Sequence, residues 1–118
     1  MKLLNSFKYA FNGIAIAFKE QLSIKIHVAS LLLVICAGLY FGITLIEWIL
    51  LAIIIALVIG FELINSAIEN LVDLISPQQH PLAGKIKDIA AGAVLVIAIA
   101  SLVIGALIFY KYVNIIFL

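Results

Sequence analysis

The sequence predicts an all-α integral membrane protein, with one amphipathic surface helix and three transmembrane helices in a single domain of 118 residues. Three observations carry this prediction. The chain is 67% hydrophobic and only 11% charged, where a soluble domain is about one quarter charged. Three stretches carry almost no charge over lengths that cross a bilayer. One long apolar stretch turns polar along a single helical stripe rather than all round.

Residues 1–25 mix polar and apolar side chains. Leu3, Leu4, Phe7, Phe11, Ile14, Ala15 and Phe18 recur at helical spacing, while Lys8, Asn12 and Lys19 lie on other faces. That pattern predicts an amphipathic helix lying in the membrane interface. Residues 28–46 hold no charge, a length of about 28 Å as helix, and form the first expected span. Gly38 and Gly42 make a Gly-x-x-x-Gly pair that permits close helix contact. A short turn leads to Trp48 at the far interface.

The second span is expected over 48–75. At about 1.5 Å per residue it is roughly 40 Å long, so its far end leaves the hydrocarbon. Ser76-Pro77 ends it, because proline disfavours the helical conformation in the residue before it. A short loop leads through Lys85, Lys87 and Asp88 to the third span, expected over 89–110. The tail from Lys111 should anchor at the opposite interface.

Composition excludes several function classes. A net charge of +1 offers no large basic surface for nucleic acid. The single cysteine, Cys36, makes no intrachain disulfide and no zinc-type Cys/His spacing occurs. Lys2, Asn5, Lys8, Asn12 and Lys19 interrupt the first residues, which argues against a cleavable signal peptide. Lys2, Lys8, Lys19, Lys25, Lys85 and Lys87 fall on one side of the spans and only Lys111 on the other. The positive-inside rule makes the lysine-rich side cytoplasmic. The expected location is a bacterial inner membrane, with the N-terminus and loop 76–88 inside.

The chemistry concentrates in Phe61–Asp73. On a helix, Glu62, Asn65, Glu69 and Asp73 fall at roughly 0°, −60°, −20° and +20°, and Ser66 near +40°. Carboxylates at membrane depth are costly and mark functional sites. Glu69 and Asp73 suit a hard cation such as Mg²⁺ shared with phosphates. Lys87 supplies positive charge for a polyphosphate, and Glu62, the deepest, is a candidate general base for a hydroxyl at the lipid interface. Plainer explanations exist for the flanking residues: Lys85 and Lys87 as anchors of the third span, Asp88 as its N-cap, and His80 as a solvated loop residue. Gly84-Lys85 lacks the remaining residues of a Walker loop.

Three stretches carry a family resemblance: Ser6-Phe-Lys-Tyr-Ala-Phe-Asn-Gly13, Glu62-Leu-Ile-Asn-Ser-Ala-Ile-Glu-Asn-Leu-Val-Asp73, and the run from His80 through Lys87-Asp88 to Leu95. The chain resembles the prokaryotic diacylglycerol kinases, a family that includes undecaprenol kinases, along nearly its whole length. The resemblance implies a homotrimer with sites shared between neighbouring chains, ATP as co-substrate, Mg²⁺, and a membrane lipid alcohol, diacylglycerol or undecaprenol, as acceptor. By motif, Glu62 matches the proton acceptor and Glu69 a metal ligand. Lys2, Tyr9, Asn65, Glu69, Asp73, Gln78, His80, Lys87 and Asp88 match positions near the nucleotide. Glu62, Asn12 and Phe18 are the positions expected to meet the lipid. One departure concerns the metal: Gln21 stands where the family carries a second liganding Glu, and Glu20, one residue earlier, is the possible substitute. The rival from another class is a small oligomeric channel or proton-coupled transporter using Glu62 as coupling acid.

Overall fold

The computed structural model describes residues 1–117, and among them the chain forms four helices and no strand. These are α1 (Lys2–Glu20), α2 (Leu22–Phe41), α3 (Leu45–Ile75) and α4 (Pro81–Phe117). The last three are long and apolar enough to cross a membrane. At 1.5 Å per residue they are about 30, 46 and 55 Å long, and the molecule's greatest extent is 55 Å.

Local chemistry sets each boundary, and it moves several expected ones. α1 ends at Glu20 rather than near residue 25, because Gln21 adopts an extended conformation (φ −111°, ψ 113°) and serves as C-cap of α1 and N-cap of α2. α2 therefore begins before the uncharged run and includes Lys25 and His27. It stops at Phe41 rather than 46, because Gly42 takes the left-handed conformation (φ 63°), which glycine adopts without steric cost. The two glycines of the Gly-x-x-x-Gly pair thus do different things. Gly42 terminates the helix, while Gly38 lets Trp48 close in: a Cβ at Gly38 would lie 2.8 Å from the indole Cη2.

α3 starts at Leu45, three residues before the expected Trp48. Thr44 and Glu47 form a capping box, in which the Thr44 side chain accepts from the Glu47 N–H and the Glu47 carboxylate accepts from the Thr44 N–H. Glu47 also accepts from the Tyr112 hydroxyl and pairs with Lys111 at 3.1 Å. One buried carboxylate thereby joins the α2–α3 connection to the end of α4. α4 begins with Pro81 in its first turn, a position where a missing N–H costs nothing. His80 Nδ1 accepts from the Leu82 N–H at 3.1 Å. Asp88 lies inside α4 and is not its N-cap.

α3 and α4 make the main packing contact, around Ile43, Leu51, Ile54 and Ile108. α1 has no buried residue; Leu3, Leu4, Phe7, Phe11 and Phe18 are all exposed. The radius of gyration, 17.5 Å, exceeds the ~13–14 Å of a compact globule of this length. The single chain is a slab with apolar faces, suited to contact with lipid or with further copies.

Candidate functional site

The acidic stripe of α3 lies against the α1–α2 joint at its middle and against the α3–α4 loop at its end. The deepest group is Glu62, 3% exposed. Its Oε1 accepts from Ser23 Oγ at 2.9 Å. His27 Nε2 lies 3.3 Å from Oε2, within ion-pair distance but not aligned as a hydrogen bond, so Oε2 is buried and accepts no hydrogen bond. Ser23 and His27 are four apart on α2, and that spacing aims both side chains at one place.

One turn onward, Asn65 Nδ2 donates to Glu69 Oε1 at 3.3 Å, and Asn65 Oδ1 is buried with no partner. Gln21 Nε2 lies 3.5 Å from Glu69 Oε2. Gln21, not Glu20, is therefore the first-segment residue that meets Glu69. Glu20, the last residue of α1, lines a crevice between α1 and α3 instead. Among the described residues no three His, Cys, Asp or Glu side chains cluster as a closed metal site. The donors at Glu69 still fit Mg²⁺: one carboxylate, the Asn65 carbonyl oxygen that makes no hydrogen bond, and the Gln21 amide, whose oxygen replaces its nitrogen by rotation about the Cγ–Cδ bond. Mg²⁺ characteristically takes one or two protein carboxylates and completes its shell with phosphates and water.

At the stripe's outer end, Lys87 pairs with exposed Asp73 across the α3–α4 connection. Both line an open pocket of about 570 Å³ with Gln78, His80 and Gly84. Ser76 Oγ donates to Gln78 O at 3.0 Å and tightens the loop. Glu62 and Asp73 are eleven residues apart, about 16 Å along the axis. The site thus runs from a dry carboxylate to a wet, mixed-charge pocket.

The remaining expected residues are not drawn in. Lys2, Tyr9 and Asn12 lie exposed along α1, and among the described residues their side chains make no hydrogen bond or ion pair. Phe18 is exposed and lies 6.0 Å, ring centroid to Nζ, from Lys25. Asp88 is exposed on α4 and does not line the loop pocket. Two residues at the site escaped the sequence reading. Ser23 and His27 carried a usable signal in their i, i+4 spacing, masked because the helix was expected to begin only at residue 28.

Comparisons with known proteins agree with this architecture. Residues 8–109 match the family model described as prokaryotic diacylglycerol kinase. The chain is 39% identical over 108 residues to the undecaprenol kinase of Bacillus subtilis (strain 168), covering 92% of this chain and 88% of that protein. It is 41% identical over 104 residues to a diacylglycerol kinase of Synechocystis sp., covering 87% of this chain and 59% of that protein. With the diacylglycerol kinase of Haemophilus influenzae it shares 34% identity over 109 residues, 92% of each chain. A match of this extent, on a helical chain with three membrane-length helices and a buried carboxylate stripe, means that the chain belongs to the prokaryotic diacylglycerol kinase family.

Proposed function

We propose that this membrane lipid kinase transfers the γ-phosphate of ATP to the hydroxyl of a membrane lipid alcohol, with Glu62 as general base and the α3–α4 loop pocket as nucleotide site. The observation that carries the assignment is the Glu62 carboxylate: buried in a membrane-length helix, fixed through one oxygen by Ser23, with its other oxygen accepting no hydrogen bond and facing His27 Nε2 at 3.3 Å. A base must present a free lone pair to the proton it removes. Ser23 holds the carboxylate plane, so the free oxygen has a defined direction.

The loop pocket supports a nucleotide with Lys87 for phosphate charge and with Gln78 and His80 as polar wall. Asp73 holds Lys87 until phosphate competes for it. Asn65 and Glu69 lie between pocket and base, where the transferred phosphoryl group must pass. Mg²⁺ held by Glu69, with Asn65 and Gln21 beside it, would neutralise charge on the polyphosphate, the main requirement of phosphoryl transfer. Everything else is positioning: Ser23 orients the base, and the α1–α2 joint brings Gln21 to Glu69.

The same reading places the N-terminus and loop 76–88 on the cytoplasmic side of a bacterial inner membrane, where ATP is found. Its support is the contact of Gln21 with Glu69 and of Lys87 with Asp73 at one end, while Lys111 meets Glu47 at the other. A homotrimer is proposed because the outer half of the stripe, at Glu69 and Asp73, is not sealed within the single chain and broad apolar faces are exposed.

Diacylglycerol and undecaprenol share the reacting group, an interfacial hydroxyl. Purified protein in nanodiscs is incubated with γ-labelled ATP and Mg²⁺, with each alcohol in turn. Label in lipid phosphate is the expected result, and the ratio of the two rates identifies the acceptor. No labelling of either alcohol would overturn the proposal.

A further inference from the structure

A buried hydroxyl one turn beyond Glu62 has no partner. Ser66 is 5% exposed, and its Oγ makes no hydrogen bond. The other five serines all donate. Ser6, Ser30 and Ser101 donate to carbonyls of their own helices, at 2.9, 2.9 and 2.7 Å. Ser76 donates to Gln78 O, and Ser23 to Glu62. A serine inside a helix ordinarily satisfies itself on the preceding turn, so its failure to do so here requires another acceptor. Ser66 lines the crevice of about 440 Å³ between α1 and α3. Small residues, Ala10, Gly13 and Ala17 on α1 and Ala67 on α3, keep that crevice open, and a Cβ at Gly13 would meet nothing within 4 Å.

We propose that Ser66 is a positioning residue that holds the hydroxyl of the lipid acceptor against Glu62, an inference that rests on the lipid-kinase reading above. Residues four apart on a helix share one face, with Cβ atoms about 5–6 Å apart, so a hydroxyl lying against the Glu62 carboxylate is within reach of the Ser66 side chain. The two atoms, neither of which makes a hydrogen bond, are complementary to a hydroxyl. Glu62 Oε2, as a carboxylate oxygen, only accepts, and Ser66 Oγ–H donates. The lipid hydroxyl therefore gives its proton to Glu62 Oε2 and accepts from Ser66. Its remaining lone pair is left to attack. As the new O–P bond forms, the bond from the γ-phosphorus to the bridging oxygen of ATP breaks. ADP leaves with that electron pair, the hydroxyl proton ends on Glu62, and Ser66 keeps its own proton throughout.

The test separates a substrate-positioning hydroxyl from a structural one. Ser66→Ala removes a buried unsatisfied group and introduces the best helix former. Thermal stability in detergent should therefore hold or rise. In the same variant, kcat/KM for the lipid alcohol should fall about three- to tenfold, the scale of one neutral hydrogen bond, with the KM for ATP unchanged. Ser66→Thr keeps a hydroxyl and should recover most of the loss. Wild-type lipid kinetics in Ser66→Ala would overturn the proposal. So would a drop in thermal stability or a change in oligomer mass accompanying the kinetic loss, since Ser66 would then be bonded to protein. Wild-type protein that labels no lipid alcohol sinks the lipid-kinase reading itself, whatever the variants do.

Discussion

Glu62 and Glu69 look alike in sequence, and their surroundings separate them. Glu62 is sealed by Ser23 and His27 from α2, whereas Glu69 is half-buried among amides. Glu62→Gln keeps the size and can still accept from Ser23, but it cannot take a proton. Turnover should fall about a hundredfold or more, the scale of losing a general base, with ATP affinity retained; initial-rate kinetics with ATP titration check both. At Gln21 the amide N–H faces Glu69, so the neutral side chain adds no charge to a cation there. Gln21→Glu should lower the Mg²⁺ needed for half-maximal activity, because a charged ligand competes better with water for a hard ion. Glu20→Ala should change that titration little, because Glu20 faces the α1–α3 crevice. A crippled Glu20→Ala would transfer the ligand role to Glu20.

At the scale of elements, the α2–α3 joint is the tightest part of the chain. Gly42 turns the backbone, Thr44 and Glu47 cap the new helix, and Trp48 folds back over Gly38. Alanine at Gly38 gains helix propensity of up to about 1 kcal/mol. Its Cβ would lie 2.8 Å from the indole Cη2 and 3.1 Å from Ile43 Cδ1, and overpacking of that kind costs about 1–3 kcal/mol. Ile43 is buried and the half-buried indole packs against the same core cluster, so neither moves freely and the clash wins. Gly38→Ala should lower the thermal midpoint in detergent while leaving the KM for ATP unchanged, since the joint lies at the opposite end of α3 from the α3–α4 loop pocket proposed to take the nucleotide.

At the scale of the molecule, one chain buries the inner half of the stripe at Glu62, Asn65 and Ser66 but leaves Glu69 half-buried and Asp73 exposed. α1 has no buried residue, and the long faces of α2 and α4 are apolar and exposed. Lipid covers such faces well but solvates a carboxylate poorly, so further copies are the better cover for the stripe. Purified protein in a mild detergent should have a protein mass of three chains by native mass spectrometry or light scattering, and dilution to monomer should abolish transfer. Full activity in a monomeric fraction would contradict this.

Some properties belonged to the sequence alone. The three long apolar stretches demand helices, because only a helix satisfies its own backbone in hydrocarbon. The stripe from Glu62 to Asp73 follows from helical periodicity, and the loop from Ser76-Pro77. The exact joints did not follow, because uncharged residues are equally compatible with a helix interior and with a turn. Only the backbone at Gln21 and Gly42, with the capping box at Thr44, decided where α1, α2 and α3 end and begin. Long-range partners were equally hidden. Ser23 and His27 beside Glu62, Gln21 beside Glu69, and Tyr112 on Glu47 join residues 39, 35, 48 and 65 positions apart. Periodicity orders side chains around one helix, but the contact between two helices depends on how they cross, and that is set by packing such as Trp48 on Gly38.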